Sequence, residues 1–386
     1  MTNVTVPQRV IDRAARTSDV PFSLFAPPPA LADGEIVRLQ SHVFTSVGLA
    51  VVDRGAAAFR VLAPGDATAI DAAWADARID EALALRAVHG LTGTDRAFRL
   101  LNGAGDRTPG VLADVYGGWA VVSASTEALV PVAELVARGL LDRRIARGVV
   151  VKQRGRGRAA TGPANVAVLG EAPPGKLAVR EGPWRFEVHL TTGVNVGLFT
   201  DMRAERMRIA TISRGRRVLN LFAYTGALSV AAAAGGATHV TSVDLSDGVL
   251  AWARDHFVMN GLDATCHTTV TADVSAYLAE AWREGRRFDV VLIDPPSFSA
   301  ARQAPFAIDR DYPPIIRGAC DLLAPGGDLW LASNTRGYSL VGAVQVAVPA
   351  ARQARLVAQG GLPSDYPTEP ADVDARYLQT CLLRLL

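Results

Sequence analysis

The sequence of 386 residues contains few cysteines, almost no lysine and no long apolar run. Its three cysteines, Cys266, Cys320 and Cys381, stand far apart, a spacing that favours neither a disulfide framework nor a metal cluster. No apolar run approaches the ~18–20 residues that a membrane span requires, and the N-terminus carries no basic-then-apolar signal pattern. We therefore expect a cytoplasmic protein with no membrane partner and no metal.

The remaining composition is that of a globular protein. With 49% hydrophobic and 20% charged residues, the chain is too apolar to be disordered throughout. Its length predicts two or three domains, because single domains mostly span ~100–200 residues.

The net charge of +2 conceals local clusters of basic residues. Lysine occurs only at Lys152 and Lys176, so arginine supplies 38 of the 40 basic side chains. Two clusters with almost no acidic neighbours are typical of a surface that binds a polyanion such as RNA. They comprise Arg143, Arg144, Arg147, Lys152, Arg154, Arg156 and Arg158, and Arg203, Arg206, Arg208, Arg214, Arg216 and Arg217.

The pattern of apolar residues changes along the chain. The first 70 or so residues predict short strands separated by turns, and a mixed strand and helix unit follows. From about residue 184, strands alternate with helices, which predicts a doubly wound α/β sheet with ligands at the carboxyl ends of its strands.

Four of the predicted strand ends carry residues suited to binding a nucleoside. The first strand ends in Phe222-Ala223-Tyr224-Thr225-Gly226, a tight turn without the glycine pattern that binds a pyrophosphate. Asp244 follows about 20 residues later, where an acid can hold a ribose diol. Asp273 ends the next strand and could accept from an adenine amine, and Asp294 leads into a Pro-Pro-Ser-Phe turn.

Together these residues resemble the class I S-adenosylmethionine-dependent methyltransferases. More narrowly, they are similar to the bacterial large-subunit (23S) ribosomal RNA methyltransferases with an N-terminal RNA-binding PUA domain. The resemblance extends to Arg99–Asp106, Pro109–Tyr116 and Gly197–Arg203. It implies a PUA-like β domain at 1–72, an α+β middle domain at 73–180 that binds RNA, and a Rossmann-like methyltransferase domain at 181–386.

The resemblance also implies roles for individual residues. The methionine and sulfonium part of S-adenosylmethionine would lie against the turn after the first strand, Asp244 would hold the ribose, and Asp273 the adenine. The segment entering the domain would close the site. The full set implied to bind the cofactor is Asp201, Arg203, Asn220, Phe222, Tyr224, Thr225, Gly226, Asp244, Leu245, Ser246, Asn260, Asp273 and Asp294.

The catalytic residues that the resemblance implies are Asp294, Pro295, Phe298 and Asn334, with Asp294 beside the methyl group and Phe298 near the target base. Methylation of cytosine at C5 needs a cysteine nucleophile, since that carbon is otherwise unreactive. Ser333-Asn334-Thr335-Arg336-Gly337 stands where cytosine-methylating relatives carry that cysteine. The pattern is similar to that of a guanine-N7 methyltransferase of the same superfamily. Guanine N7 or a base amine is therefore favoured over cytosine C5.

The expected activity is methyl transfer from S-adenosylmethionine to a base of RNA. The residues expected to bind the RNA are Arg143, Arg144, Lys152, Arg154, Arg156 and Arg158. Two alternatives stay open: a small-molecule methyltransferase on a redeployed scaffold, and a catalytically silent RNA-binding relative. Val194, Asn195, Val196 and Met202 replace the residues usual in the entering segment, which would suit a diverged enzyme. The oligomeric state is open, with a homodimer as one option.

Overall fold

The computed structural model describes residues 1–25, 30–43, 45–153, 164–193, 195–296, 298–299, 306–348, 353–372 and 375–386. Its strands are β1 Thr2–Thr5, β2 Asp19–Pro21, β3 Ile36–Gln40, β4 Ser46–Asp53, β5 Ala58–Pro64, β6 Ala97–Asn102, β7 Val111–Tyr116, β8 Trp119–Ala124, β9 Gly148–Gln153, β10 Ala164–Gly170, β11 Leu177–Glu181, β12 Trp184–Val188, β13 Arg217–Leu221, β14 His239–Asp244, β15 His267–Thr271, β16 Phe288–Ile293, β17 Phe298–Ser299, β18 Phe306–Ala307, β19 Leu323–Ser333, β20 Ala354–Gly361 and β21 Gln379–Leu385. Its α-helices are α1 Gln8–Ala14, α2 Ala72–Val88, α3 Val130–Asp142, α4 Arg203–Ile212, α5 Ala227–Ala234, α6 Asp247–Met259, α7 Val274–Arg283, α8 Ile308–Leu322 and α9 Leu340–Ala347.

The chain divides into two compact units. The first contains Met1–Glu181, Val188–Thr200 and Ser364–Val373. The second contains Gly182–Glu187, Asp201–Pro363 and Asp374–Leu386.

Two five-stranded sheets build the first unit, in the orders β1-β3-β4-β5-β2 and β10-β9-β8-β7-β6. Strand β4 is buried on both faces, since side chains alternate along a strand. Ala50 and Val52 pack into the core of the first sheet, whereas Leu49 and Val51 pack with α2, α3 and the second sheet. A boundary near residue 72 would therefore divide a shared core, and the three-domain division stays a prediction.

A buried ion pair links α2 to the loop after β6 in this unit. The Arg86 side chain is fully buried, and its two terminal nitrogens donate to Asp106 Oδ1 at 2.6 Å and Oδ2 at 2.7 Å. Its Nε donates to the carbonyl of Arg99 at 3.0 Å. Each of the three guanidinium nitrogens thus has a hydrogen-bond partner, which offsets the cost of burying the charge.

The second unit contains the doubly wound sheet that the sequence predicts. Seven strands lie in the order β15-β14-β13-β16-β19-β21-β20. The first five run parallel, while β21 pairs antiparallel to β19 and to β20. The strand order reverses direction at β13, which pairs with β14 on one side and β16 on the other. Such a switch point opens a crevice at the carboxyl edge of the sheet.

Helices α4, α5 and α6 pack in succession, as do α7, α8 and α9. A buried carboxylate joins α4 to the sheet, because Trp330 Nε1 of β19 donates to Glu205 Oε2 at 2.8 Å. Asp328 of β19 is fully buried and accepts from Arg216 and Arg384. Within the described residues, no helix combines the length and apolarity needed to cross a membrane.

The Arg86–Asp106 pair provides a test of the packing. We expect Arg86→Ala to lower the free energy of unfolding by about 3–5 kcal/mol, because it leaves a carboxylate buried without its partner. The matched control is Arg180→Ala, which removes an arginine that contacts Asp95 through two nitrogens while both side chains are about half exposed. That change should cost less than about 1 kcal/mol. Equal losses in urea titrations of the two variants would contradict the account.

Candidate active site

Parallel registry brings the predicted strand ends to one edge of the sheet. Leu221, the last residue of β13, pairs with Val243 of β14 and with Ile293 of β16. Asp244 pairs with Thr271 at the end of β15. Ile293 pairs with Leu331, which brings Asp294 near the end of β19. The segments that follow these five strands therefore share one crevice.

The turn between β13 and α5 has a strained backbone. Phe222 and Tyr224 adopt left-handed conformations with φ of 58° and 48°, and Gly226 has φ of 75°. Non-glycine residues in this region cost of order 1–3 kcal/mol each and concentrate at functional sites. The Ala223 N–H donates to the Val243 carbonyl at 3.0 Å and secures the turn to β14. A Cβ on Gly226 would lie 2.6 Å from Cβ of Ala253, so glycine allows α5 and α6 to pack closely.

A buried histidine supports the same turn from α6. His256 Nδ1 lies 2.9 Å from the Thr225 carbonyl, and Nε2 accepts from the Glu187 N–H at 2.9 Å. This pattern assigns the proton to Nδ1. Burial lowers the pKa of His256, so the ring stays neutral and keeps both contacts. The sequence analysis missed this residue, whose only signal is a histidine within the apolar face of a helix.

Asp244 joins two of the converging loops. Its Oδ2 accepts from the Tyr224 N–H at 2.9 Å, and its Oδ1 accepts from the Ser246 N–H at 3.0 Å. Each carboxylate oxygen can accept a further bond, so the partly exposed side chain retains capacity for a diol. Leu245 lies between these contacts, and Ser246 caps α6 by accepting from the Val249 N–H.

Asp273 lies at the end of the neighbouring strand and caps α7. Its Oδ1 accepts from the N–H groups of Ser275 and Ala276 at 2.9 and 3.1 Å. Oδ2 takes no part in this cap. The position agrees with the predicted adenine contact, which stays a prediction.

Asp294 lies in an environment that favours its neutral form. Burial and then the negative charge of Asp201 raise the pKa of Asp294 to about 7, against an opposing effect of Arg206. Asp201 accepts from the Tyr377 hydroxyl at 2.6 Å. Arg203 begins α4 just beyond Asp201, and Arg206 is buried on the same helix. Near pH 7 the Asp294 carboxyl therefore exists both with and without its proton.

A tyrosine joins the ends of β16 and β19, the strands that precede Asp294 and Asn334. The hydroxyl of Tyr312, on α8, lies 2.9 Å from the Ala332 carbonyl and 3.2 Å from the Ile293 carbonyl. Burial raises the pKa of Tyr312 well above its usual value, so the hydroxyl remains a donor. It thereby fixes the spacing of β16 and β19 where Asp294 and Asn334 emerge. Neither Tyr312 nor Arg206 was identified from the sequence as a site residue.

The other predicted catalytic residues follow these two strands. Pro295 is buried and Asn334 is exposed, while Phe298 begins β17 and its side chain lies outside the described residues. Ser333 Oγ accepts from the Thr335 N–H at 3.2 Å, which orders the segment carrying Asn334. Thr335 Oγ1 is buried and has no hydrogen-bond partner among the described residues.

Two predicted cofactor residues make structural hydrogen bonds, and their contacts with the cofactor stay predictions. Asn260 follows α6, whose far end lies at the opposite edge of the sheet, and its amide donates to the Arg185 and His256 carbonyls. Asn220 is buried in β13 and donates to Ser229 Oγ at 2.8 Å. Asn260 therefore contributes to packing, and the contact expected of Asn220 would have to come from its buried Oδ1.

The basic clusters also differ from expectation, because four of their arginines form ion pairs with carboxylates and two further basic residues are buried. Lys152 is buried in β9 and donates to the Gly193 carbonyl, so it is not available to RNA. Arg143 pairs with Asp76 and Asp80 of α2. Arg154, Arg156 and Arg158 lie outside the described residues. In the second cluster Arg206 is buried, and the described ion pairs are Arg208–Glu205, Arg216–Asp328 and Arg217–Asp289.

The sheet order and these side chains define a class: doubly wound α/β proteins that bind a nucleoside-like ligand at the switch point. In agreement, the family of S-adenosylmethionine-dependent methyltransferases matches residues 139–381. A methyltransferase whose crystal structure contains S-adenosylhomocysteine superposes with a TM-score of 0.88, with 25% identity and 100% coverage of both chains. A structure from Streptococcus mutans gives a TM-score of 0.86 with the same identity and coverage.

Similar proteins of known name are also methyltransferases. The ribosomal RNA large subunit methyltransferase of Deinococcus radiodurans is 36% identical over 286 residues, covering 71% of this chain and 69% of that protein. Ribosomal RNA large subunit methyltransferase K of Neisseria meningitidis is 42% identical over 166 residues, covering 42% of this chain. The match spans about half of that relative, 47% of its length. The chain belongs to the S-adenosylmethionine-dependent methyltransferases.

The residues at the crevice fit S-adenosylmethionine. Asp244 supplies acceptors for a ribose diol, and Asp294 adds a carboxylate whose ionised form attracts a sulfonium. Within the described residues, no cluster of three or more histidine, cysteine or acidic side chains could hold a metal ion.

The raised pKa of Asp294 makes stability depend on pH. The folded protein binds a proton there up to about pH 7, whereas the unfolded chain releases it near pH 4. The contribution of this proton to the free energy of unfolding has its full value below about pH 4 and is lost as the pH rises to about 7. Relative to Asp294→Asn, the ligand-free protein should lose roughly 1 kcal/mol of unfolding free energy per pH unit between pH 5 and 7. If the unfolding free energies of the parent protein and Asp294→Asn, measured by urea titration, changed equally with pH, the raised pKa of Asp294 would be contradicted.

Proposed function

We propose that this enzyme transfers a methyl group from S-adenosylmethionine to a base of ribosomal RNA. The relatives from Deinococcus radiodurans and Neisseria meningitidis support the substrate class, because both are named as ribosomal RNA large subunit methyltransferases. The first covers the larger part of this chain, at 71%. The five converging strand ends provide the site at which the base and the cofactor would meet.

We further propose that the target atom is guanine N7 or a base amine, and the positions of the cysteines carry this proposal. Cys320 lies in α8 and Cys381 in β21, and both are buried. Burial and then the charge of Glu205 raise the pKa of the Cys381 thiol to about 12, which removes its thiolate at neutral pH. Cys266 lies in a short turn before β15 and contacts Asp263. None of the three lies in the segment directly after β16 or β19, which argues against a thiol that activates cytosine at C5.

The chain's own residues can support direct transfer. S-adenosylmethionine supplies a methyl group that is already activated for nucleophilic attack, so the protein mainly has to align the nucleophile and exclude water. Guanine N7 offers a free lone pair and needs no base. A base amine must lose a proton, and Asp294 can accept it because its pKa of about 7 leaves a substantial ionised fraction.

The segment after β19 would read the edge of the base. The Asn334 amide both donates and accepts, which matches the mixed acceptors and donors on the edge of guanine. Thr335 Oγ1 offers a further buried polar group that is unpartnered among the described residues. Phe298 would stack on a base removed from its helix, as aromatic side chains commonly do in RNA recognition.

The first unit would bind the RNA. Its N-terminal sheet and the sheet of β6 to β10 would act as the PUA-like and middle parts that the resemblance implies. A large unit beside the methyltransferase domain suits a structured RNA better than a small substrate. The cytoplasmic location and the oligomeric state stay predictions.

The methylated nucleoside tests the proposal directly. We expect transfer of labelled methyl from S-adenosylmethionine to unmodified large-subunit ribosomal RNA, with 7-methylguanosine or an N-methylated purine as the product in nucleoside mass spectrometry. Cys266→Ser and Cys381→Ala should each give the same product with turnover within about threefold, since neither thiol forms a bond to the base.

Other outcomes would contradict parts of the proposal. A 5-methylcytidine product that disappears in a cysteine variant would overturn the choice of target atom. Label found only in a small-molecule extract would favour the redeployed enzyme, and no transfer to either would favour a silent RNA-binding protein.

A further inference from the structure

The first unit contains a cavity of about 470 Å³ that has no role in the crevice described above. Its apolar wall consists of Leu83, Phe98, Val115 and Ile145. The remaining lining comes from the 92–94 loop, the 117–118 turn and the arginines Arg144 and Arg147. None of its lining residues is acidic. Cavities that bind small molecules or single residues of a polymer measure roughly 300–1,000 Å³, so this one is large enough for a nucleotide.

Hydrogen bonds within the backbone preform the cavity. The Gly117 N–H donates to the Arg96 carbonyl at 3.0 Å, and the Arg147 N–H donates to the Gly118 carbonyl at 2.8 Å. Gly117 and Gly118 have φ of 54° and 87°, which favours glycine in this turn between β7 and β8. The wall does not have to form when a ligand enters, which reduces the entropic cost of binding.

Among the described residues of the first basic cluster, Arg144 and Arg147 are the arginines without a carboxylate partner. Arg144 and Arg147 are both exposed, and within the described residues neither forms an ion pair. Arg143, their neighbour, is neutralised by two carboxylates of α2. The charge of the described residues that line the cavity is therefore positive.

Arg147 is also held in a defined orientation. Its guanidinium carbon lies 3.8 Å from the centroid of the Trp119 ring, a distance at which a cation and an aromatic ring attract one another. A fixed guanidinium provides both a donor for phosphate oxygens and a plane on which a base can stack.

We propose that this cavity binds one nucleotide of the RNA substrate, with its base against the apolar wall and its phosphate on Arg144 and Arg147. A simple anion would leave the wall without a partner, and an apolar ligand would leave the two charges without one. A nucleotide offers a base for the apolar wall and a phosphate for the two arginines. This inference rests on the proposed function, because it assigns to the substrate RNA a second contact outside the catalytic crevice.

The test compares the binding of single-stranded and large-subunit ribosomal RNA to the full chain and its variants by fluorescence anisotropy. Arg147→Ala should weaken RNA binding about tenfold and reduce the salt slope by about one. Arg144→Asn should do the same, and asparagine tolerates the φ of 56° at this position. In methyl transfer, both variants should raise KM with kcat unchanged, since no reacting group is touched.

The matched control is Arg138→Ala, which removes an exposed arginine of α3 and changes the net charge equally. Its RNA affinity should stay within about twofold of the parent protein. Equal weakening in Arg138→Ala and Arg147→Ala would overturn the cavity as a site and leave only a diffuse positive field. Unchanged affinity in Arg144→Asn and Arg147→Ala would overturn it outright.

The design separates the two proposals. If RNA is not the substrate, the parent protein neither binds RNA in a salt-dependent way nor methylates it. If only the cavity is mistaken, the parent protein does both and the two arginine variants match it.

Discussion

The parallel pairing of β13 with both β14 and β16 is the constraint on which the site depends. Because Leu221 stands level with Val243 and Ile293, the segments after all three strands open at one edge. A shift of one residue would turn the alternating side chains to the other face of the sheet. The buried apolar side chains of these strands prevent such a shift, so packing in the core fixes where Asp244 and Asp294 emerge.

Burial of charge is the second organising feature. Asp294 is kept partly neutral by its surroundings, whereas Arg86 and Asp328 remain charged because each has partners of opposite sign. Four of the clustered arginines, Arg143, Arg208, Arg216 and Arg217, also have carboxylate partners, although their side chains stay partly exposed. In the described part of the first cluster, Arg144 and Arg147 are exposed and form no ion pair.

The sequence predicted the parts of the structure that local pattern determines. Apolar runs ending in Asp244 and Asp294, and the strand-helix alternation around Asp273, indicated the strands, since periodicity and spacing are local properties; the roles of these acids in the site stay predictions. The sequence did not predict that Tyr312 would join two strand ends or that Arg206 would be buried, because both depend on contacts between distant segments. For the same reason, the number of basic residues around Lys152 in the sequence did not predict how many of them would be exposed and without a carboxylate partner.

Asp244 is expected to hold S-adenosylmethionine at the carboxyl edge of this sheet. Calorimetric titration of S-adenosylmethionine into the full chain tests this expectation most directly. We expect one molecule bound per chain, with affinity reduced at least about tenfold in Asp244→Asn, equivalent to about 1.4 kcal/mol. Asp247→Asn, which removes an exposed carboxylate three residues later, should bind as the parent protein does. Absence of binding, or equal affinity in Asp244→Asn and the parent protein, would contradict the account.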